Sequence, residues 1–113
     1  MQGSKKIAAF LCAACLLPTA ALANKMVFEN QSSWDITHIY FSPSKSKNWG
    51  EDQLGSDILS KGDRLTISGV SKGKWDVRVV DEDGDECIIG DVSITSNDKW
   101  VIEDDDLLAC QNQ

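Results

Sequence analysis

Beyond residue 23 the chain alternates apolar and polar positions, and no stretch there holds a helical apolar period for three turns. Met26-Val27-Phe28-Glu29-Asn30 predicts a first strand, ended by the turn-prone Gln31-Ser32-Ser33. Asp35 to Phe41 (DITHIYF), rich in β-branched and aromatic residues, predicts a second. Its apolar residues fall on both faces, which predicts cover on both sides. Ser42 to Lys47 reads as a polar loop, because Pro43 cannot continue a ladder. Between Trp49 and Leu59 one helical turn would bring Leu54 and Ile58 together, although Gly50 and Gly55 oppose it. Lys61-Gly62-Asp63 then turns into Leu65-Thr66-Ile67-Ser68, a half-buried strand.

The C-terminal half supports an argument about register. Trp75, Val77 and Val79 share one face, opposite Asp76 and Arg78, and Asp83-Gly84 is a hairpin signal. Cys87 to Thr95 puts Ile88, Gly90, Val92 and Ile94 on one face, and beyond Ser96-Asn97-Asp98 another face holds Trp100 and Ile102. A hairpin centred between Asp83 and Gly84 sets Trp75 against Val92 and Val79 against Ile88. A second, centred on Asn97, sets Val92 against Ile102 and Ile94 against Trp100. Every apolar set then lands on the same side, which a slip of one residue would destroy. The expectation is a three-stranded antiparallel meander from Trp75 to Glu103 within an all-β fold. The whole is a small antiparallel β-sandwich or open barrel of about six strands.

The first residues read as an address. Met1 to Lys6 is positively charged, and Ile7 to Leu17 is apolar but too short to span a bilayer. Pro18 and the small residues of Ala21-Leu22-Ala23 follow, the pattern of a secretory signal cut after Ala23. Residues 24–113 then form a single β domain, periplasmic or secreted, with no membrane span. Cys12 and Cys15 leave with the signal, and Cys87 and Cys110 remain as one expected disulfide.

Without the signal, 9 basic residues face 18 acidic ones, a net charge of −9. That excess opposes nucleic acid and anionic membranes, both of which need a basic surface. It favours a protein partner, above all a basic one. The register places Asp104, Asp105 and Asp106 at the same sheet end as the turn from Asp81 to Glu86, and Lys72, Lys74 and Lys99 at the other. The turn is not an EF-hand, since counting from Asp81 the glycine comes fourth and position twelve is Val92. A Ca²⁺ site of oxygen ligands would draw on Asp81, Asp83, Asp85, Asp104, Asp105 and Asp106. A solvated acidic pole facing a basic partner is the alternative.

Catalytic residues are sparse. His38 is the only histidine, no Gly-x-Ser-x-Gly elbow is present, and metal motifs built on several His or Cys ligands are absent. A small hydrolase using His38 would need a hydroxyl or carboxylate beside it. Trp75 and Trp100 belong to the expected core, whereas Trp34 and Trp49 sit in turns, either as exposed binding anchors or as plugs of the sandwich ends. Asn30-Gln31-Ser32 fits a glycosylation sequon and reads as chance beside a bacterial type of signal.

Asn30 to Ser44 (NQSSWDITHIYFSPS), Trp49-Gly50-Glu51-Asp52, Leu54-Gly55-Ser56-Asp57-Ile58-Leu59, Gly62, Trp75 to Val80 and Asp83-Gly84-Asp85 together resemble a group of small exported bacterial β-domain proteins of unassigned function. The resemblance covers about Phe28 to Glu86 and implies fold and export rather than an activity. In that group a cysteine precedes the Trp-Asp strand, where this chain has Lys74, so its pair of cysteines wires the fold differently. The combined reading is a non-enzymatic binding module of the bacterial envelope. One specific form is a periplasmic inhibitor or immunity protein that inserts Asp81 to Glu86 into a basic wall-degrading enzyme. A calcium-binding β domain and a hydrolase are the other readings.

Overall fold

The computed structural model describes residues 23–111. The expected signal segment, apart from Ala23, and with it Cys12 and Cys15, lies outside these residues. Six strands form near the places the alternation marks: β1 (Asn24–Asn30), β2 (Ile36–Pro43), β3 (Arg64–Val70), β4 (Gly73–Asp81), β5 (Glu86–Ile94) and β6 (Asp98–Ile102). Contrary to the expected loop, Ser42 and Pro43 continue β2 and pair with Asp76 and Trp75; β2 is an edge strand, where proline is tolerated. A helix, α1 (Asp104–Gln111), follows. The strands make two three-stranded sheets, ordered β3-β1-β6 and β2-β4-β5. No helix among the described residues is long and apolar enough to cross a membrane.

The two sheets close on a core of alternate side chains. Met26 and Phe28 enter it from β1, Ile39 and Phe41 from β2, Val77 and Val79 from β4, Cys87 and Ile94 from β5, and Ile102 from β6. A run of aromatic rings ties the layers together. Trp100 meets Phe28 edge-on at 5.9 Å, Phe28 meets Phe41 at 5.8 Å, and Phe41 stacks on Trp75 at 4.5 Å. Offset and edge-to-face pairs of this kind each add about 0.5–1.5 kcal/mol beyond burial.

The expected meander forms only in its first half. β4 and β5 pair antiparallel, but β6 crosses to the other sheet and lies parallel to β1, with Trp100 beside Phe28 and Ile102 beside Asn30. The pairings of Val92 with Ile102 and Ile94 with Trp100 are therefore replaced. Alternation specifies which residues of β6 face the core, and that face is the same whichever sheet the strand joins. The Asn97 turn carries the chain across the sandwich, and its side-chain oxygen accepts the Lys25 N–H at 2.8 Å.

The β4–β5 register also departs from expectation midway. Trp75 faces Val92 as predicted, but Val77 faces Ile89 and Val79 faces Cys87. A β-bulge at Gly90 and Asp91 takes up the extra residue, with Asp91 in the left-handed region at φ 57°. The Asp76 carboxylate fixes it by accepting the Asp91 N–H at 3.0 Å and the Ser44 hydroxyl at 2.6 Å. Both donors hold the Asp76 carboxyl below its ordinary range. The bulge flips parity, so Cys87 turns inward and Ile88 is 51% exposed. A second irregularity between Ile36 and His38 explains why β2 looked apolar on both faces. Ile36 and Ile39 both point inward across it, leaving His38 exposed and Tyr40 half-buried outside. In the loop that follows, Leu54 and Leu59 are buried while Ile58 is 47% exposed, so the expected Leu54–Ile58 pairing does not occur.

The helix α1 is an addition to the sequence reading. Glu103 caps it: its carbonyl accepts the Asp106 N–H, and its own N–H donates to the Asp106 carboxylate at 2.9 Å. Asp104, Asp105 and Asp106 fill the first turn, where negative charge suits the helix dipole. Leu107 is buried, and the Cys87–Cys110 disulfide, with 5.3 Å between its Cα atoms, fastens the helix to β5.

Candidate functional site

The turn joining β4 to β5 is built around one carboxylate. Asp81 is 2% exposed, and its Oδ1 accepts the N–H groups of Asp83 and Asp85, each at 3.0 Å. Backbone bonds from Asp81 N–H to the Asp85 carbonyl and from Gly84 N–H to the Asp81 carbonyl close the loop. Gly84 takes φ 82°, a conformation that glycine adopts without steric cost. The turn is also anchored from outside: the Glu82 N–H donates to the Asp35 carbonyl at 2.9 Å, and the Asp35 N–H returns a bond to the Glu82 carboxylate at 2.9 Å. What remains exposed is a fixed loop presenting Asp83 and Asp85.

Of the six carboxylates proposed as oxygen ligands, the structure brings three together. One ligand oxygen each from Asp81, Asp83 and Asp85 lies within 4.8 Å of the others. Asp104, Asp105 and Asp106 do not join that group. Asp104 accepts the N–H and hydroxyl of Ser33 at 2.6 and 2.9 Å, which hold its carboxyl below the ordinary range. Both acidic runs lie at the same end, because Ser33 holds one and Asp35 the other. The carboxylates of the two runs are thus divided among separate partners, including Arg78, whose guanidinium meets Glu86 at 2.6 Å.

The two turn tryptophans part company. Trp34 is half-buried against the core and its carbonyl accepts bonds from Asn30 and Ser32, so it plugs that end of the sandwich. Trp49 lies outside the core, half-buried, its ring 6.5 Å from Tyr40. The outer face of the β2-β4-β5 sheet there carries His38 stacked on Tyr40 at 6.2 Å, with the Arg78 guanidinium 5.1 Å from the Tyr40 ring centre. The sequence reading did not pick out Tyr40 and Arg78; their signal was the outward parity of β4 combined with the irregularity in β2.

His38 has a carboxylate in reach. Its Nδ1 is 2.6 Å from Asp52 Oδ2, and the other oxygen of Asp52 accepts the N–H groups of Ile39 and Leu54. Burial pushes the Asp52 carboxyl up, but the His38 bond and the two N–H donors outweigh it and leave the group below its ordinary value. No hydroxyl or thiol among the described residues bonds to His38. The pair pins the Trp49–Leu59 loop onto β2, where Gln53 N–H also bonds the Ile39 carbonyl at 2.7 Å.

No protein-family model and no curated protein matches this sequence. Among solved structures, the NMR structure of a protein from Eubacterium rectale is similar, with a TM-score of 0.54 and 19% identity over 73% of this chain and 78% of that one. The likeness supports the fold.

Proposed function

We propose that the chain is an exported, non-enzymatic binding module of the bacterial envelope that offers its acidic pole to a cationic protein. The observation that carries this reading is the Asp81-centred turn. A buried carboxylate, a neighbouring disulfide and the Asp35–Glu82 bonds fix the backbone, so little ordering cost remains to oppose binding. The net charge of −9 beyond residue 23 would speed encounter with a basic partner. A periplasmic inhibitor or immunity protein acting on a basic wall-degrading enzyme is the specific form that suits a protruding acidic loop. The intact domain, immobilised in low salt, should capture a basic envelope protein that elutes with added salt. The Asp83→Asn, Asp85→Asn variant should capture far less of it. An extract that yields no salt-sensitive partner removes the proposal.

The carboxylate spacing within 4.8 Å favours a second reading, a Ca²⁺ ion held by Asp81, Asp83 and Asp85. Calorimetric heat and a raised melting temperature with Ca²⁺, both abolished by Asp83→Asn, are its expected signs. Silence in both measurements removes it.

A further inference from the structure

The end of the sandwich opposite the acidic turn has a different chemistry. β4 runs from Gly73 to Asp81, a rise of about 26 Å, or roughly three Debye lengths at physiological salt. The two ends are therefore electrostatically separate in spite of the overall acidity. At the Gly73 end, Pro43, Lys45, Lys72, Lys74, Trp75 and Asp91 line a cleft of about 520 Å³, a size typical of small-molecule sites. Lys45, Lys72 and Lys74 are exposed, and none has an ion-pair partner among the described residues. The Trp75 ring is fixed, stacked on Phe41 at an interplanar angle of 12° and donating its indole N–H to the Ser71 carbonyl at 2.9 Å. Asp91 lines the same cleft as an exposed acidic residue, its backbone fixed by the left-handed conformation and by its N–H bond to the Asp76 carboxylate.

We propose that this cleft binds an acidic saccharide. Three unpaired ammonium groups select for negative charge. A compact inorganic anion is a poor match, because Asp91 repels it and it makes no use of Trp75 or Pro43. A sugar ring that carries a carboxylate uses every wall. Its apolar C–H face lies on the indole, whose π face is electron-rich. Its hydroxyls donate to Asp91, and its carboxylate meets the lysines. A neutral sugar leaves the lysines idle, and an anionic membrane surface cannot enter a cleft that holds its own carboxylate. The site is separate from the acidic pole, so the fate of the protein-binding reading does not bear on it.

Trigalacturonate titrated into the ¹⁵N-labelled domain tests the assignment. The expected result is saturable shifts confined to the Trp75 indole N–H and the backbone amides of residues 44–45, 71–75 and 91. Lys72→Gln with Lys74→Gln, both at exposed positions, should leave the melting temperature unchanged and weaken binding about tenfold or more. The uncharged trisaccharide, inorganic phosphate and anionic vesicles should produce no comparable shifts. Absence of saturable shifts with trigalacturonate overturns the proposal. So does an equal response to the neutral sugar, to phosphate or to vesicles, and so does a double lysine variant that binds as tightly as the parent.

Discussion

Asn30 closes β1 and is fully buried, and its side chain leaves no hydrogen-bonding position unused. The amide donates to the carbonyls of Trp34 and Leu59, each at 2.8 Å, and the oxygen accepts from the Ser32 N–H and hydroxyl. Asn30→Ala strands buried partners on both sides, so it should cost about 2–4 kcal/mol, visible as a clear drop in melting temperature. The same burial disposes of the sequon: the folded domain keeps this amide out of reach of any glycosyl donor. Its neighbour Glu29 carries the pH dependence. Hydrogen bonds from Gln31, Lys99 and Arg64 push its carboxyl from 4.5 down to about 2. A group with a depressed folded value contributes its stability above the unfolded value and loses it as the pH falls toward the folded one. Acid should therefore weaken the domain between pH 4.5 and 2, and Glu29→Gln should flatten that part of the stability profile in chemical denaturation. None of this was legible residue by residue. Lys99 appeared to belong to a lysine-rich pole, yet its ammonium sits 3.0 Å from Glu29, because that depends on β6 lying beside β1.

At the scale of elements, α1 stands out as a helix too short to persist alone in water. Its hold on the domain is Leu107, the Ser33–Asp104 bonds and the disulfide. Closing the loop between Cys87 and Cys110 is worth about 3 kcal/mol on the chain-entropy account. Cys87→Ser with Cys110→Ser should lose about that much and should bring α1 amides to fast hydrogen exchange ahead of the strands. The disulfide was readable from the cysteine count, and the six strands from alternation and turn residues. The helix was also signalled, by three aspartates ahead of Leu107-Leu108, but two turns are too few for a period to register. The bulges escaped for a sharper reason. A bulge inserts one residue into an otherwise regular alternation, and the sequence shows only a strand apolar on the wrong positions, as at Ile88 and Ile36.

The whole molecule is organised by its ends. That the acidic turn and Lys72 and Lys74 lie at opposite ends was legible, since β4 alone separates them; the place of Lys99 was not. The assignment of strands to sheets was not, because burial records a side chain's face and is silent on its backbone partner. That assignment sets the folding rate. β1 lies between β3 and β6, so its pairings span much of the chain, and folds dominated by such non-local pairs form in milliseconds to seconds. Stopped-flow refolding of the oxidised domain, followed by tryptophan fluorescence, should fall in that range; a microsecond phase carrying the full amplitude would contradict it. The central position of β1 has one more consequence, which concerns timing. During synthesis β1 waits with one edge bare until the strand at Asp98–Ile102 arrives, and the cysteine that latches the structure comes later still. A nascent chain ending before residue 98 should stay sensitive to protease. The topology thereby withholds a finished sheet, and the protection that comes with it, until the residues of β6 have been made.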